Sequence, residues 1–176
     1  FDSESFYAKK GVKVFTGHFV HSIDRKSKTI LVKDLSTGKI IKDSYDSLIL
    51  TTGTKLFQVK GIPVNAENVF NLKSVHDLLK IKDYTSNNSC KNVLIIGAGY
   101  IGLEAAEAFY ELGCNVTILE KSLLPMPSAE IEIQHLLFSE LERSGIRFFG
   151  GNDPKFIVQG SKLQSVKIDG RFIEFD

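Results

Sequence analysis

Val93-Leu94-Ile95-Ile96-Gly97-Ala98-Gly99-Tyr100-Ile101-Gly102-Leu103-Glu104 is the stretch whose meaning settles the rest of the chain. An apolar run that reads as a buried strand is followed by glycines in the spacing G-x-G-x-x-G. Apolar and small residues then recur at helical spacing, at Ile101, Ala105, Ala108, Phe109 and Leu112. Glycine spacing alone is weak evidence. Between a strand and a helix it becomes specific, because each glycine has a task. Gly97 permits the tight turn out of the strand, Gly99 lets a pyrophosphate approach the backbone, and Gly102 lets the helix lie close to the strand. The phosphates would sit at the helix amino terminus, where N–H groups and the dipole favour an anion. The run Gly97, Ala98, Gly99, Tyr100, Ile101, Gly102 is therefore a candidate dinucleotide-binding turn. A purely structural turn and a methyltransferase glycine loop are the rival readings.

Downstream, residues 115–119 form a second strand, and Glu120 follows about twenty residues after the glycines, where a ribose-reading acid belongs. A carboxylate there accepts hydrogen bonds from ribose hydroxyls and repels a 2′-phosphate, so NAD(H) is expected rather than NADP(H). Lys121 comes next and would tolerate that phosphate, although a solvated lysine is the ordinary case. Glu104 is expected on the first turn of the helix. It either complements the helix dipole or faces the nicotinamide end of the cofactor. A second helix, residues 130–143, carries Ile133, Leu136, Leu137 and Leu141 on one face. Residues 146–149 read as a third strand, and 155–158, 163–168 and 171–175 as a small meander. Alternating strand and helix imply a Rossmann-like α/β unit with a parallel sheet and right-handed crossovers.

Upstream the pattern changes. Residues 3–10 suggest a short amphipathic helix capped by Gly11, and 11–15, 19–23, 29–33 and 39–42 alternate as strands of an antiparallel meander. Ser47-Leu48-Ile49-Leu50 is continuously apolar and stops at Thr51-Thr52-Gly53, as a parallel strand covered on both faces would. Ser74 reads as the N-cap of a helix running to about Asp83, with residues 84–90 as a polar loop. The expected organisation is a partial FAD-type domain at 1–53 (helix, meander, T-T-G strand), a linker at 54–73 and a Rossmann-like domain at 74–176 lacking its last strand. Gly11 to Gly17 and Gly145 to Gly151 each follow a helix and precede a meander, which reads as an incomplete internal repeat. On that basis residues 47–50 are candidates to fill the open place in the second sheet.

Composition narrows the function classes. Of 176 residues, 43% are apolar and 24% charged, with a net charge of +1, so no strong field draws nucleic acid or an anionic membrane. No apolar run reaches membrane-spanning length, and no secretory leader is visible at Phe1-Asp2-Ser3-Glu4. A cytoplasmic setting is expected. The opening without Met and the ending within a strand pattern read as a piece of something longer. Cys90 and Cys114 fit no C-x-x-C redox or zinc spacing, and Cys114 reads as a small core residue. His18, His21, His76 and His135 are not clustered with acids and read as surface residues. No catalytic nucleophile, acid–base pair or metal set is expected.

At this point the chain resembles the FAD-dependent pyridine nucleotide-disulfide oxidoreductases. Four features carry the resemblance: the run from Val93 to Glu104; Tyr45-Asp46-Ser47-Leu48-Ile49-Leu50-Thr51-Thr52-Gly53; Val69-Phe70-Asn71-Leu72-Lys73-Ser74; and the helix at 130–143 before Gly145-Ile146. It is most similar to the branch of NADH oxidases, coenzyme A-disulfide reductases and NADH-dependent rubredoxin or ferredoxin reductases. The resemblance implies an FAD domain, an inserted NAD(P) domain and a dimerisation domain, with the parent protein a homodimer. It places Val20, Thr51, Thr52 and Gly53 on the flavin side, and Tyr100 over the path between flavin and nicotinamide. The family's first glycine motif and its active-site cysteine region would lie before Phe1, and its later Gly-Asp flavin motif and dimer domain beyond Asp176. Thr51 stands where alanine is usual, and Ser128-Ala129-Glu130 lacks an Asp often found there. The implied activity is hydride transfer from NADH to FAD, then to a disulfide, oxygen or a small redox protein. The alternative is an NAD(H)-binding module with no catalysis of its own.

Overall fold

The computed structural model describes residues 4–63 and 65–176, in two units, Phe1–Thr54 and Lys55–Asp176. The first holds helix α1 (Glu4–Lys9) and strands β1 (His18–Asp24), β2 (Thr29–Asp34) and β3 (Ile40–Ser44) in an antiparallel sheet of order β1-β2-β3. Ser3, expected to open the helix, lies outside the described residues. Asp24 and Asp34 build the turns: Asp24 accepts from the Lys26 and Ser27 amides, and Asp34 from Ser36 and Thr37. These bonds hold both carboxyls below the usual carboxylate range, Asp34 the further. The register skips His21 between Val20 and Ser22. That bulge keeps Ile23 on the face shared by Val20, Ile30, Val32 and Ile41, which strict alternation would break.

Two expected strands of this unit are absent. Residues 11–15 run without a ladder, with Val12, Val14 and Phe15 exposed. Residues 47–50 also join no sheet, and Ile49 is 84% exposed. An apolar run specifies that a segment should be covered. Only a neighbouring strand in register makes it β-structure, and none pairs with it among the described residues.

The second unit begins with a connector that leads to helix α2 (Val75–Asn88). Ser74 and Asp77 form a reciprocal capping box: the Asp77 N–H donates to Ser74 Oγ, and the Ser74 N–H to Asp77 Oδ2. The helix runs past Asp83 through the expected loop. Thr85 Oγ1 donates to the Lys82 carbonyl, Asn87 Nδ2 to Asp83 Oδ1 and Asn88 Nδ2 to the Tyr84 carbonyl, so the polar side chains bond back along the helix. Left-handed Ser89 ends it.

Strands β4 (Asn92–Ile96), β5 (Asn115–Glu120) and β6 (Arg147–Gly150) form a parallel sheet of order β4-β5-β6. Helices α3 (Tyr100–Glu111) and α4 (Ile131–Arg143) connect them. Strands β7 (Lys155–Gln159), β8 (Lys162–Ile168) and β9 (Arg171–Glu174) make an antiparallel sheet. The result is three layers, because the alternating side chains of β5 feed two cores. Val116 and Ile118 pack with Ala98, Ala106, Leu141 and Ile146 on the helix side. Leu119 packs with Val166, Ile168 and Ile173 on the meander side. Truncating fully buried Ile118 to alanine would cost roughly 2–5 kcal/mol.

The helix faces agree with the sequence expectation at Phe109 and Leu141 and differ from it elsewhere. On α3 the core takes Ala106, Leu103 and Phe109, while Ile101 and Leu112 are exposed. On α4 it takes Leu141, and Phe138 meets Phe148 edge to face at 5.7 Å, while Ile133 and Leu136 stay exposed. Half-buried Cys114 packs on the first core as expected, and burial raises the thiols of both Cys114 and Cys90. Among the described residues no helix is long and apolar enough to cross a membrane.

Candidate dinucleotide-binding site

The turn between β4 and α3 is set by backbone geometry at its glycines. Gly97 has φ 102°, a conformation closed to ordinary side chains, and its N–H donates to the Leu119 carbonyl at 2.7 Å. A Cβ on Gly102 would run into the Gly97 carbonyl oxygen, so the helix can lie this close to the turn only with glycine there. Gly99 caps the helix with extended backbone, and a Cβ there would meet nothing within 4 Å. The turn thus presents an open face at its middle glycine and a tight one at its last. The first helical amides, which have no intrahelical acceptor, lie beside the open face. Residues of this kind fit a pyrophosphate.

Glu120 ends β5 beside this turn. Its Oε2 accepts from the Ala98 N–H at 2.7 Å and its Oε1 from the Ser122 N–H at 2.9 Å. Each oxygen keeps a further lone-pair direction, so the carboxylate still has acceptor capacity for ribose hydroxyls. The segment after β5 folds back on the turn. Pro125 is fully buried, and the Met126 N–H donates to the Ala98 carbonyl at 2.8 Å. Gly150 lets β6 pass closely: a Cβ would stand 2.6 Å from the Ser122 carbonyl oxygen and also meet that of Leu123.

Gly97 to Gly102 and Glu120 therefore come together. Tyr100 begins α3 with 72% of its surface exposed, and Lys121 is exposed with no hydrogen bond or ion pair among the described residues. Glu104 is a correction. The helix begins at Tyr100, so Glu104 lies beyond the first turn, which holds no acid, and it is exposed. Val20, 47% exposed on β1, and Thr51, Thr52 and Gly53, all exposed with Gly53 at φ 73°, belong to the first unit. The histidines form no metal set with acids or cysteines among the described residues; His18 Nδ1 is bonded to the Thr16 carbonyl. Sequence reasoning missed Ser122 and Met126. The run Pro125-Met126-Pro127 was the available signal, since prolines on both sides of a residue mark an irregular backbone.

A parallel βαβαβ sheet with a glycine turn at the amino end of its first helix, and an acid at the end of its second strand, defines a dinucleotide-binding class of domain. Residues 3–176 match the pyridine nucleotide-disulphide oxidoreductase family, and the chain belongs to it. An NADH oxidase of Mycoplasma pneumoniae is 32% identical over 94% of this chain and 39% of its own length. A coenzyme A disulfide reductase of Staphylococcus haemolyticus is 29% identical over 81% of this chain and 32% of its own length. The structure of the water-forming NADH oxidase from Lactobacillus brevis bound to NADH superposes with a TM-score of 0.80 at 26% identity. It covers 100% of this chain and 39% of that one. The chain thus spans roughly two-fifths or less of the proteins it matches.

Proposed function

We propose that the chain is the NAD(H)-binding part, with a portion of the flavin side, of an NADH-dependent flavoprotein oxidoreductase. The observation that carries it is the open Gly99 face beside Glu120, on a chain that aligns along its whole length with an oxidase bound to NADH. In this reading the amides of Gly99 and the first turn of α3 take the pyrophosphate. Glu120 takes the adenosine ribose and disfavours a 2′-phosphate. Tyr100, exposed at the start of α3, lies along the nicotinamide half. Val20, Thr51, Thr52 and Gly53 would meet FAD. A bound dinucleotide supplies the hydride that FAD receives, and the chain's own part is positioning and electrostatics. The acceptor is a disulfide, oxygen or a small redox protein. The division into a flavin-side segment at 1–53, a linker and an NAD domain from residue 74, and a homodimeric parent, follow from the same reading.

The test is an NADH against NADPH titration of this chain by nicotinamide fluorescence, with a visible spectrum for retained flavin. Saturable binding that favours NADH supports the assignment. No binding of either nucleotide overturns it. Saturable NADH binding without flavin or turnover supports the narrower alternative, a nucleotide-binding module. That alternative draws on one observation: the chain covers under half of each relative.

A further inference from the structure

Ala98 is completely buried and is held on both sides, by the last residue of β5 and by the segment that follows it. Its N–H donates to Glu120 Oε2, and its carbonyl accepts from the Met126 N–H at 2.8 Å. The second bond bears on the ligand. In a trans peptide the carbonyl and the next N–H point in opposite directions. Fixing the Ala98 oxygen against Met126 therefore turns the Gly99 N–H away from Met126. A Cβ added at Gly99 would meet nothing within 4 Å, so the backbone there is open to a ligand, and its φ, unlike that of Gly97, is one that any residue can adopt.

Met126 holds this place at some cost. Its φ is 52°, in the left-handed region that residues other than glycine and asparagine rarely enter. It is 6% exposed, between Pro125 and Pro127, and its carbonyl accepts from the Ala129 N–H at 2.8 Å. Both backbone groups of this left-handed residue are thus committed, one of them to the glycine turn.

We propose that the left-handed backbone of Met126 is a positioning device for the dinucleotide: it sets the Ala98–Gly99 peptide so that the Gly99 N–H is presented to the pyrophosphate. The proposal rests on residues 97–102 being the phosphate-binding turn. Met126 touches no ligand atom in this scheme and acts through Ala98. A packing role for its buried side chain is the competing explanation, and the two rank substitutions in opposite orders. Glycine removes the whole side chain but enters the left-handed region freely. Asparagine enters it more readily than most residues. Valine keeps apolar bulk but is β-branched and resists that region.

The experiment measures NADH affinity of the 176-residue chain by nicotinamide fluorescence for wild type, Met126→Gly, Met126→Asn and Met126→Val, with a thermal melt for each. The Gly99 amide is followed in a ¹H–¹⁵N spectrum with and without NADH. The expected result is that Met126→Val binds NADH about tenfold more weakly, from the strain of a left-handed β-branched residue or the loss of that conformation. Met126→Gly and Met126→Asn bind more tightly than Met126→Val despite lower melting temperatures. The Gly99 peak shifts on NADH addition in wild type and less so in Met126→Val. Affinity that instead follows side-chain volume, with valine best and glycine worst, overturns the proposal. If glycine gives no folded protein, the asparagine and valine pair decides it in the same way. A wild-type chain that takes up no NADH overturns the underlying assignment as well, whereas wild-type binding with the order reversed overturns this proposal alone.

Discussion

The substitution Gly99→Ala adds one methyl group to backbone at φ −81°, ψ −172°, a conformation open to any residue. The new Cβ meets no protein atom within 4 Å. Two small effects on stability oppose each other. Alanine is a poorer helix N-cap than glycine by roughly 0.5–1 kcal/mol. It also restricts the unfolded chain, which stabilises by roughly 0.4–1 kcal/mol. Folding should therefore be unchanged within about 0.5 kcal/mol. Binding should not. On the proposed assignment the methyl group stands where the pyrophosphate would lie against the backbone, and overfilling a packed site costs roughly 1–3 kcal/mol, about 5- to 150-fold in Kd. Gly150→Ala is the opposite control. Its Cβ would stand 2.6 Å from the Ser122 carbonyl oxygen and 2.8 Å from the Leu123 carbonyl carbon, backbone atoms that cannot rotate away. That change should lower unfolding free energy by roughly 1–3 kcal/mol. Urea unfolding and NADH titration of both variants separate the cases. Wild-type NADH affinity in Gly99→Ala would show that the pyrophosphate does not pass over this glycine and would refute the assignment of the turn.

Other outcomes follow from named contacts. Glu120→Ala removes the acceptor of the Ala98 and Ser122 amides and the charge that opposes a 2′-phosphate beside exposed Lys121. The NADH-to-NADPH affinity ratio should fall by about tenfold or more, and an unchanged ratio would remove Glu120 from ribose recognition. Asn68 pairs its side-chain amide with both backbone groups of Leu163, at 2.7 and 2.9 Å, which clasps the connector to the meander. Asn68→Ala should cost about 1–3 kcal/mol in urea unfolding, because Leu163 is buried and both its groups lose a partner. The Asp77 carboxyl is held below its ordinary value of 3.8, first by Ser74 Oγ–H and then by the Ser74 and Lys73 amides. Its contribution to helix α2 is therefore complete above about pH 4 and is lost as pH falls through the lowered folded value. Amide protection at residues 75–78, taken relative to the intrinsic exchange rate at each pH, should fall on acidification in wild type and stay level in Asp77→Asn.

What could be read from the sequence follows from how local each constraint is. The strand, glycine turn and helix at 93–104 were legible because a positive φ at Gly97 and a close approach at Gly102 are demands on single positions, and only glycine meets them. The same glycine explains an error. Apolar spacing points to Ile101, Ala105, Ala108, Phe109 and Leu112 as the inner face of α3; Phe109 does pack on the core, but Ile101 and Leu112 are exposed. Contact at Gly102 brings that side of the helix down, so its neighbours Leu103, Ala106 and Phe109 turn inward. Small residues, rather than the most apolar, mark where two backbones meet. Residues 47–50 failed for a different reason: their apolar run asks for cover, and pairing depends on strands elsewhere in the fold. Met126 lies further still from what a pattern can show. Its left-handed backbone has meaning only through the Ala98 carbonyl, more than twenty residues upstream, and no spacing rule joins them. In the proposed reading the glycine run marks the phosphate-binding turn, while the Ala98–Gly99 peptide within it is oriented by the Met126 N–H from a distant loop. A sequence that kept every glycine but could not place residue 126 in the left-handed region would still read as a dinucleotide turn. By the geometry here it should hold the phosphate weakly.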